Sequence, residues 1–171
     1  MYKIGDNIVY GASGVMTIVD IREEVFADAP RLYYILRPTL LRTESFTYVP
    51  VDNEALVSNM RLLLSKEEIL SLIRSAKDIQ PIEWVSENRA RQEYFKRIME
   101  SGDRAKLVAM IRAIDENALR REAEGKKSFL SDESARAKAE KLLHSEFSVV
   151  FGISEEDVPT FIEQQVQCDN I

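Results

Sequence analysis

The sequence contains little of the chemistry on which most enzymes and metal sites depend. Among 171 residues there is one cysteine, Cys168, and one histidine, His144. A lone cysteine cannot form an internal disulfide, which fits a reducing compartment. The two residues together fall short of the about four ligands of a structural zinc site. A single mid-helix histidine gives poor support for acid–base or triad chemistry, and no glycine run matches a phosphate-binding loop. We therefore expect a protein that is not an enzyme and uses no metal or other cofactor.

Long apolar runs are also missing. No stretch approaches the ~20 residues that cross a bilayer, and no charged-then-apolar leader follows Met1. We expect a cytoplasmic monomer that contacts no membrane and takes no small-molecule substrate.

Acidic residues outnumber basic ones, and the net charge of −6 is unfavourable for binding DNA phosphates. The charge is unevenly distributed along the chain. Residues 82–145 hold fourteen Lys and Arg against twelve Asp and Glu, whereas residues 146–171 hold six acids and no base. The excess acid therefore lies toward the C-terminus, and the segment before it can present a basic face to DNA.

The first fifty residues have the pattern of short β-strands separated by turns. Strands are predicted at Ile8–Tyr10, Val15–Ile21, Leu32–Arg37 and Phe46–Val49. Strict alternation along the second of these places four side chains on one face, namely Val15, Thr17, Val19 and Ile21. So many short strands in so few residues predict a small antiparallel barrel of the Tudor or SH3 kind.

Helical spacing begins after Leu64. Ser65 and Glu68 have the spacing of a capping box, so a helix is predicted over about residues 66–76 as the closing element of the first domain. Residues 77–81 are predicted to be a linker. Four helices are then expected, with starts near Val85, Asp103, Ser131 and Ser154. The predicted fold class is α+β, with a Tudor-like domain at residues 1–76 and an all-α domain at residues 82–171.

The only tryptophan, Trp84, stands at the predicted start of the second domain. Most tryptophans pack into a core. An exposed indole at this position could instead wedge into a base step from the minor groove, held by nearby cations on the DNA backbone. The following helix supplies four such cations, Arg89, Arg91, Lys96 and Arg97. Interleaved glutamates allow the same residues to form a solvated face with no DNA role.

Short motifs occur in a defined order along most of the chain. The strand region carries Gly5-Asp6, Val9-Tyr10, Gly14 and Tyr48-Val49-Pro50. The helical region carries Trp84, Ser101-Gly102-Asp103 and Leu130-Ser131. In this order and spacing the motifs resemble those of the CarD family of bacterial transcription regulators.

The resemblance implies that the first domain, shared with the transcription-repair coupling factor, pairs with the first lobe of the RNA polymerase β subunit. Some relatives carry arginine where this chain has Glu24 and Tyr48. The polymerase contact is therefore expected to rest on backbone strand pairing together with Arg22 and Arg42. The residues expected to lie at this contact are Arg22, Glu24, Arg42, Tyr48 and Val49.

The resemblance also implies that the helical domain binds promoter DNA. Trp84 would be the wedge at the upstream edge of the melted promoter, where it would stabilise the open complex. The four cations of the following helix would face the DNA.

Two other functions remain open from the sequence. A protein-interaction module with no nucleic-acid role would be indicated by a buried Trp84 or by cations engaged in internal ion pairs. An RNA-binding barrel would stack bases on Tyr10, Tyr33, Tyr34 and Tyr48, although tyrosines on short strands more often pack across strands.

Overall fold

A computed structural model describes residues 1–26, 29–41 and 45–168 of the chain. An antiparallel sheet is followed by a group of helices, so the predicted α+β class is confirmed. The strands are β1 (Asn7–Tyr10), β2 (Val15–Glu24), β3 (Arg31–Pro38), β4 (Thr47–Pro50) and β5 (Met60–Leu62). The helices are α1 (Glu54–Val57), α2 (Lys66–Ser75), α3 (Asn88–Ser101), α4 (Arg104–Ala123), α5 (Leu130–Phe151) and α6 (Val158–Cys168). None of these helices is both long enough and apolar enough to cross a membrane.

The sheet is open, with the strand order β4–β3–β2–β1–β5. A short 3₁₀ turn, Gly11–Ser13, joins β1 to β2, and Gly14 closes it with a φ of 78° that favours glycine. Within the described residues the two edge strands, β4 and β5, do not pair with each other. Closure into a Tudor-like or SH3-like barrel therefore stays a prediction.

A β-bulge at Val19 changes which side chains of β2 face the core of the sheet. Ile18 and Asp20 pair with consecutive residues of β3, so the alternation along β2 shifts by one residue. Ile18 and Ile21 both pack against the sheet core, whereas Arg22 lies on the opposite face. The prediction that Ile21 shares a face with Thr17 is wrong, because strict alternation does not survive an inserted residue.

The buried apolar side chains form two separate clusters. One lies on a single face of the sheet and consists of Ile8, Met16, Ile18, Tyr34, Leu36, Val49 and Met60. The other lies among the helices and includes Phe95, Leu107 and Phe147. Helix α2 contributes Ile69 and Ile73 to this second cluster. By its packing, α2 therefore joins the helices that follow it rather than the sheet that precedes it.

The predicted capping box at the start of α2 is formed. The amide of Glu68 donates to the Ser65 hydroxyl at 3.1 Å, and the amide of Ser65 donates to the Glu68 carboxylate at 2.7 Å. Asp103 caps α4 by accepting a hydrogen bond from the amide of Lys106 at 3.1 Å. Helix α6 begins only at Val158, as expected if Pro159 delays its start.

Helix α3 begins three residues later than the predicted start at Val85. The Glu87 carboxylate caps it by accepting hydrogen bonds from the amides of Ala90 at 2.6 Å and Arg89 at 2.9 Å. These bonds hold the pKa of the Glu87 carboxyl below its usual value. Trp84 consequently lies in an irregular segment before the helix rather than in its first turn.

A buried ion pair joins the end of the sheet to the helices. The carboxylate of Glu146 on α5 accepts hydrogen bonds from Arg104 on α4 at 2.7 and 2.9 Å, and from the amide of Leu64 at 2.8 Å. Arg104 also donates to the carbonyl of Leu62, the last residue of β5, at 2.9 Å. These bonds fix the chain where it passes from the sheet into the helices.

The turn between α3 and α4 makes a second set of contacts with the sheet. The guanidinium of Arg61 on β5 donates to the carbonyl of Ser101 at 2.7 Å. On the other side, a Cβ atom added to Gly11 would lie 3.2 Å from the carbonyl oxygen of Glu100. The β1–β2 turn therefore approaches the end of α3 closely enough to favour glycine at position 11.

Removing the Glu146 carboxylate is expected to destabilise the protein strongly. Glu146→Ala leaves the Arg104 guanidinium without its buried partner, and the loss of one partner from such a pair costs about 3–5 kcal/mol. Urea unfolding followed by circular dichroism measures the change. Glu93→Ala, on the exposed side of α3, is the matched control and should change stability by less than about 0.5 kcal/mol. Equal stability of the two variants would contradict the stabilising role of the Glu146–Arg104 ion pair.

Candidate functional site

Trp84 is half-buried beside the helical core. One side of the indole packs on Phe95 of α3, with ring centroids 6.3 Å apart. The Arg91 guanidinium lies over the indole, 4.7 Å from its centroid. The side chain is therefore neither enclosed in the core nor standing free of it.

The indole also borders a shallow concavity of about 210 Å³ between the segment before α3 and helix α4. The other residues that line this concavity are Pro81, Ile82, Ala113, Glu116, Asn117 and Arg120. The exposed Arg120 side chain is steadied by a hydrogen bond from its guanidinium to the Asn117 side chain at 2.6 Å. Arg120 was not predicted from the sequence, because only the packing of α4 beside Trp84 brings the two residues together.

Arg91 is enclosed, with 1% of its surface exposed. Its guanidinium donates twice to the Asp132 carboxylate, at 3.1 Å each, and once to the Asn88 side chain at 2.9 Å. It also donates to the carbonyls of Val85 and Ser86 at 3.0 and 3.1 Å. The prediction that Arg91 faces DNA is therefore corrected, because a guanidinium surrounded by these acceptors has no surface left for a phosphate.

The other three predicted DNA-facing cations are exposed. Arg97 stacks on the Tyr94 ring at 5.9 Å, and Lys96 lies 3.9 Å from Glu100. Lys96 borders a different cleft, between α3, α5 and the sheet, rather than the Trp84 concavity. Arg89 stands at the start of α3, close in sequence to Trp84. A role of Arg89 and Arg97 in DNA binding stays a prediction.

Phe129 extends the stack that begins at Trp84. The Arg91 guanidinium lies 5.3 Å from the Phe129 centroid, and Arg121 covers the same ring at 4.0 Å. Rings and guanidinium groups thus alternate from Trp84 to the corner between α4 and α5. Each cation–π contact contributes about 0.5–2 kcal/mol to stability. The alternating rings and guanidinium groups therefore hold the surface around the indole in place.

The predicted polymerase contacts divide between the two faces of the sheet. Val49 is fully buried in the sheet core, so only its backbone can take part in an interaction. Arg22, Glu24 and Tyr48 lie on the opposite face, where Arg22 donates to Glu24 at 2.8 Å. Arg42 falls outside the described residues.

Strand β4 presents an open edge. The amide of Val51 donates to the carbonyl of Leu32 at 2.9 Å. Because hydrogen-bonded pairs alternate along antiparallel strands, the amide and carbonyl of Tyr48 point away from β3. The opposite edge, β5, is partly covered, since Leu62 accepts a hydrogen bond from Arg104. Of the two edges in the described sheet, β4 is thus the one with outward-facing backbone groups and no helix bonded to it.

An aromatic cluster flanks this open edge. Phe26 is 62% exposed and packs edge-to-face on Tyr33 at 5.3 Å and on Tyr48 at 5.0 Å. Phe26 was not predicted from the sequence, because it falls in a mostly polar and small stretch between two predicted strands. Only the packing of the Phe26 ring on Tyr33 and Tyr48 reveals the cluster.

The tyrosines offer little support for base stacking. Tyr33 and Tyr34 are buried, and Tyr10 and Tyr48 are half-buried. Tyr34 instead packs edge-to-face on Tyr2, with centroids 5.9 Å apart. These rings stabilise the sheet and do not form an open stacking platform.

Replacing Arg91 is expected to destabilise the protein and to free the indole. Arg91→Ala leaves Asp132 as an unpaired buried charge, a loss of about 3–5 kcal/mol. Because Trp84 is the only tryptophan, its emission should shift to longer wavelength as water reaches the ring. Arg89→Ala, two residues earlier on the exposed surface, is the control for both urea unfolding and fluorescence. An Arg91→Ala variant as stable as this control would contradict the stabilising role of the Arg91–Asp132 ion pair.

Comparison with known proteins agrees with this geometry. Residues 2–61 match the CarD-like/TRCF RID domain family, a segment that spans β1 to β4, α1 and the start of β5. A Bacillus subtilis (strain 168) protein named "Putative transcription factor YdeB" is 26% identical over 165 residues, which cover 94% of this chain and 99% of that protein. These two matches support a CarD-like family for the chain and a transcription-related, RNA polymerase-interacting role for its N-terminal part.

Proposed function

We propose that this protein binds the RNA polymerase β subunit through its sheet and stabilises the promoter open complex through its helices, with Trp84 at the upstream fork. The observation that supports the proposal best is the half-buried Trp84 indole, which the buried Arg91 guanidinium contacts and which shares a concavity with the exposed Arg120. No catalytic step or cofactor is part of the proposal, and a monomer suffices for it.

The polymerase contact would be a strand addition at β4. An added strand gains main-chain hydrogen bonds, and side chains beside the edge supply specificity. Tyr48 would offer its outward amide and carbonyl, while the Phe26 and Tyr48 rings would pack on an apolar patch of the lobe. Arg22 and Glu24, on the same face, would add polar contacts.

The DNA contact would centre on Trp84. A partly exposed indole can enter a base step that is already unstacked at the fork, where the unstacking penalty is smallest. Arg89, Arg97 and Arg120 would contact phosphates on either side. Because the chain carries a net charge of −6, its affinity for DNA alone should be weak and sensitive to salt.

The tether to polymerase would compensate for this weak affinity. Once the sheet is bound, the helices meet the promoter at an effective concentration in the millimolar range. The predicted linker at residues 77–81 is held at its start, since Arg112 donates to the carbonyls of Ala76 and Ile79 at 3.3 and 2.6 Å. A fixed junction of this kind would let the bound sheet determine where Trp84 lies on the DNA.

The effect on transcription would follow from unequal binding of two promoter states. A protein that binds the open form more tightly than the closed form shifts the equilibrium toward it. A difference of about 1.4 kcal/mol is enough for a tenfold shift. The wedge needs to contribute no more than this.

A protein-interaction module without a DNA role is the second candidate. It is favoured by the internal ion pair of Arg91 with Asp132, which removes one of the four predicted DNA cations. The experiment on Trp84 below separates the two candidates.

Trp84→Ala is expected to shorten the lifetime of the polymerase–promoter open complex by about tenfold, because the wedge is lost. Binding to polymerase without promoter DNA should stay unchanged. Ile4→Ala, which also removes an exposed apolar side chain, is the control and should leave the lifetime unaltered. A competitor-challenge assay on the full chain measures it, with circular dichroism to verify folding. An unaltered lifetime for Trp84→Ala would favour the interaction module.

Tyr48→Pro is expected to abolish binding to the polymerase β lobe. Proline lacks the amide that faces the open edge, yet it is tolerated on an edge strand where that amide bonds to no neighbour. Tyr48→Ala keeps the amide and removes only the ring, so its binding should be weakened but measurable. Pull-down of the lobe by each full-length variant compares them. Equal binding by the proline and alanine variants would exclude strand addition at this edge.

A further inference from the structure

A cleft of about 530 Å³ separates the sheet from helices α3 and α5. Its walls come from the β1–β2 turn, the residues just after β3, the C-terminal half of α3 and the middle of α5. Trp84, by contrast, packs against the N-terminal half of α3. The cleft is therefore a separate surface from the proposed DNA contact.

The two walls are held at a fixed distance. A Cβ atom added to Gly14 would lie 3.6 Å from the Ser145 hydroxyl of α5, and the contact between Gly11 and Glu100 closes the neighbouring turn onto α3. The ion pair of Glu146 and Arg104 anchors α5 close to the same junction. A ligand would consequently meet a preformed cleft.

The floor of the cleft is aliphatic. It is formed by Val15, Pro38, Leu40, Leu41, Met99 and Leu142. Leu40 and Leu41 are 39% and 61% exposed, so apolar area here faces water. Among the described lining residues there is no aromatic ring on which a nucleobase could stack. Such a floor suits bulky aliphatic side chains better than it suits nucleic acid.

The rim of the cleft carries three lysines, Lys96, Lys138 and Lys141, against two acids, Glu100 and Glu155. These five charges sum to +1, whereas the whole chain carries −6. Lys141 also borders Glu140, Glu155 and Glu156 in the adjoining hollow, so Lys138 is the rim lysine farthest from this acidic group. Lys96 and Glu100 lie 3.9 Å apart and both are exposed, so their interaction is weak. Carboxylates on a partner would be attracted by Lys138 and Lys141, which lie one turn apart on α5.

We propose that this cleft binds an acidic peptide segment of a protein partner, with aliphatic side chains on the floor and carboxylates at the lysine rim. The peptide would contact the sheet and the helices together. Its binding would therefore reinforce the junction between them. The proposal depends on neither Trp84 nor the β4 edge.

Fluorescence anisotropy on the full-length chain tests the proposal. The probe is a fluorescein-labelled peptide of glutamate and leucine, with the leucines at helical i, i+3, i+4 and i+7 spacing, and the matched peptide has lysine for each glutamate. The glutamate peptide should bind and the lysine peptide should not. The double variant K138E/K141E should weaken binding by about tenfold or more, because two attractive charges become repulsive.

Two further variants complete the design. Leu41→Glu, at an exposed floor position, should also weaken binding, whereas Lys77→Glu, an exposed lysine outside the cleft, should leave it unchanged. Circular dichroism verifies that each variant is folded. The proposal is overturned by failure of the glutamate peptide to bind, by equal binding of the lysine peptide, or by equal effects of K138E/K141E and K77E. Displacement of the peptide by a thymidine oligonucleotide would assign the cleft to nucleic acid instead.

Discussion

The position of Trp84 depends on one buried ion pair, between Arg91 and Asp132. Their side chains are 1% and 3% exposed, and two hydrogen bonds of 3.1 Å join them. A charge removed from water in this way is stable only when its remaining donors are also bonded. The carbonyls of Val85 and Ser86 accept those donors, so the pair fixes the backbone directly after the indole. Trp84 thereby has a defined orientation, although it lies outside any helix or strand.

A second buried pair extends this constraint to the sheet. Glu146 and Arg104 bond to the chain on both sides of the passage from β5 to α2, at Leu62 and Leu64. A partner that holds the sheet would therefore also hold the helices and, through Arg91, the indole. Under the proposed function, this coupling would let a protein of net negative charge place a residue on DNA without strong affinity for DNA itself. The specificity would come from position rather than from electrostatic attraction.

Features that depend on neighbouring residues, such as helix caps, could be predicted from the sequence, whereas packing between distant residues could not. The capping box at Ser65 and Glu68 follows from side chains three residues apart, and it is present in the structure. The bulge at Val19 left no sequence signal, because β-branched residues continue through it. The burial of Arg91 depends on Asp132, which is far away in the chain. For this reason all four cations of α3 were predicted to face DNA, although one of them, Arg91, is buried. Arg120 and Phe26 were missed because the fold alone brings them to the two candidate surfaces.

The contact between Trp84 and DNA can be tested most directly by observing the indole itself. Because the chain has a single tryptophan, labelling it with 5-fluorotryptophan gives one fluorine resonance that unlabelled polymerase does not obscure. We predict that this resonance stays at its free position when the protein binds polymerase alone and shifts when the open promoter complex forms. A resonance that is the same in both complexes would contradict contact between Trp84 and the melted fork.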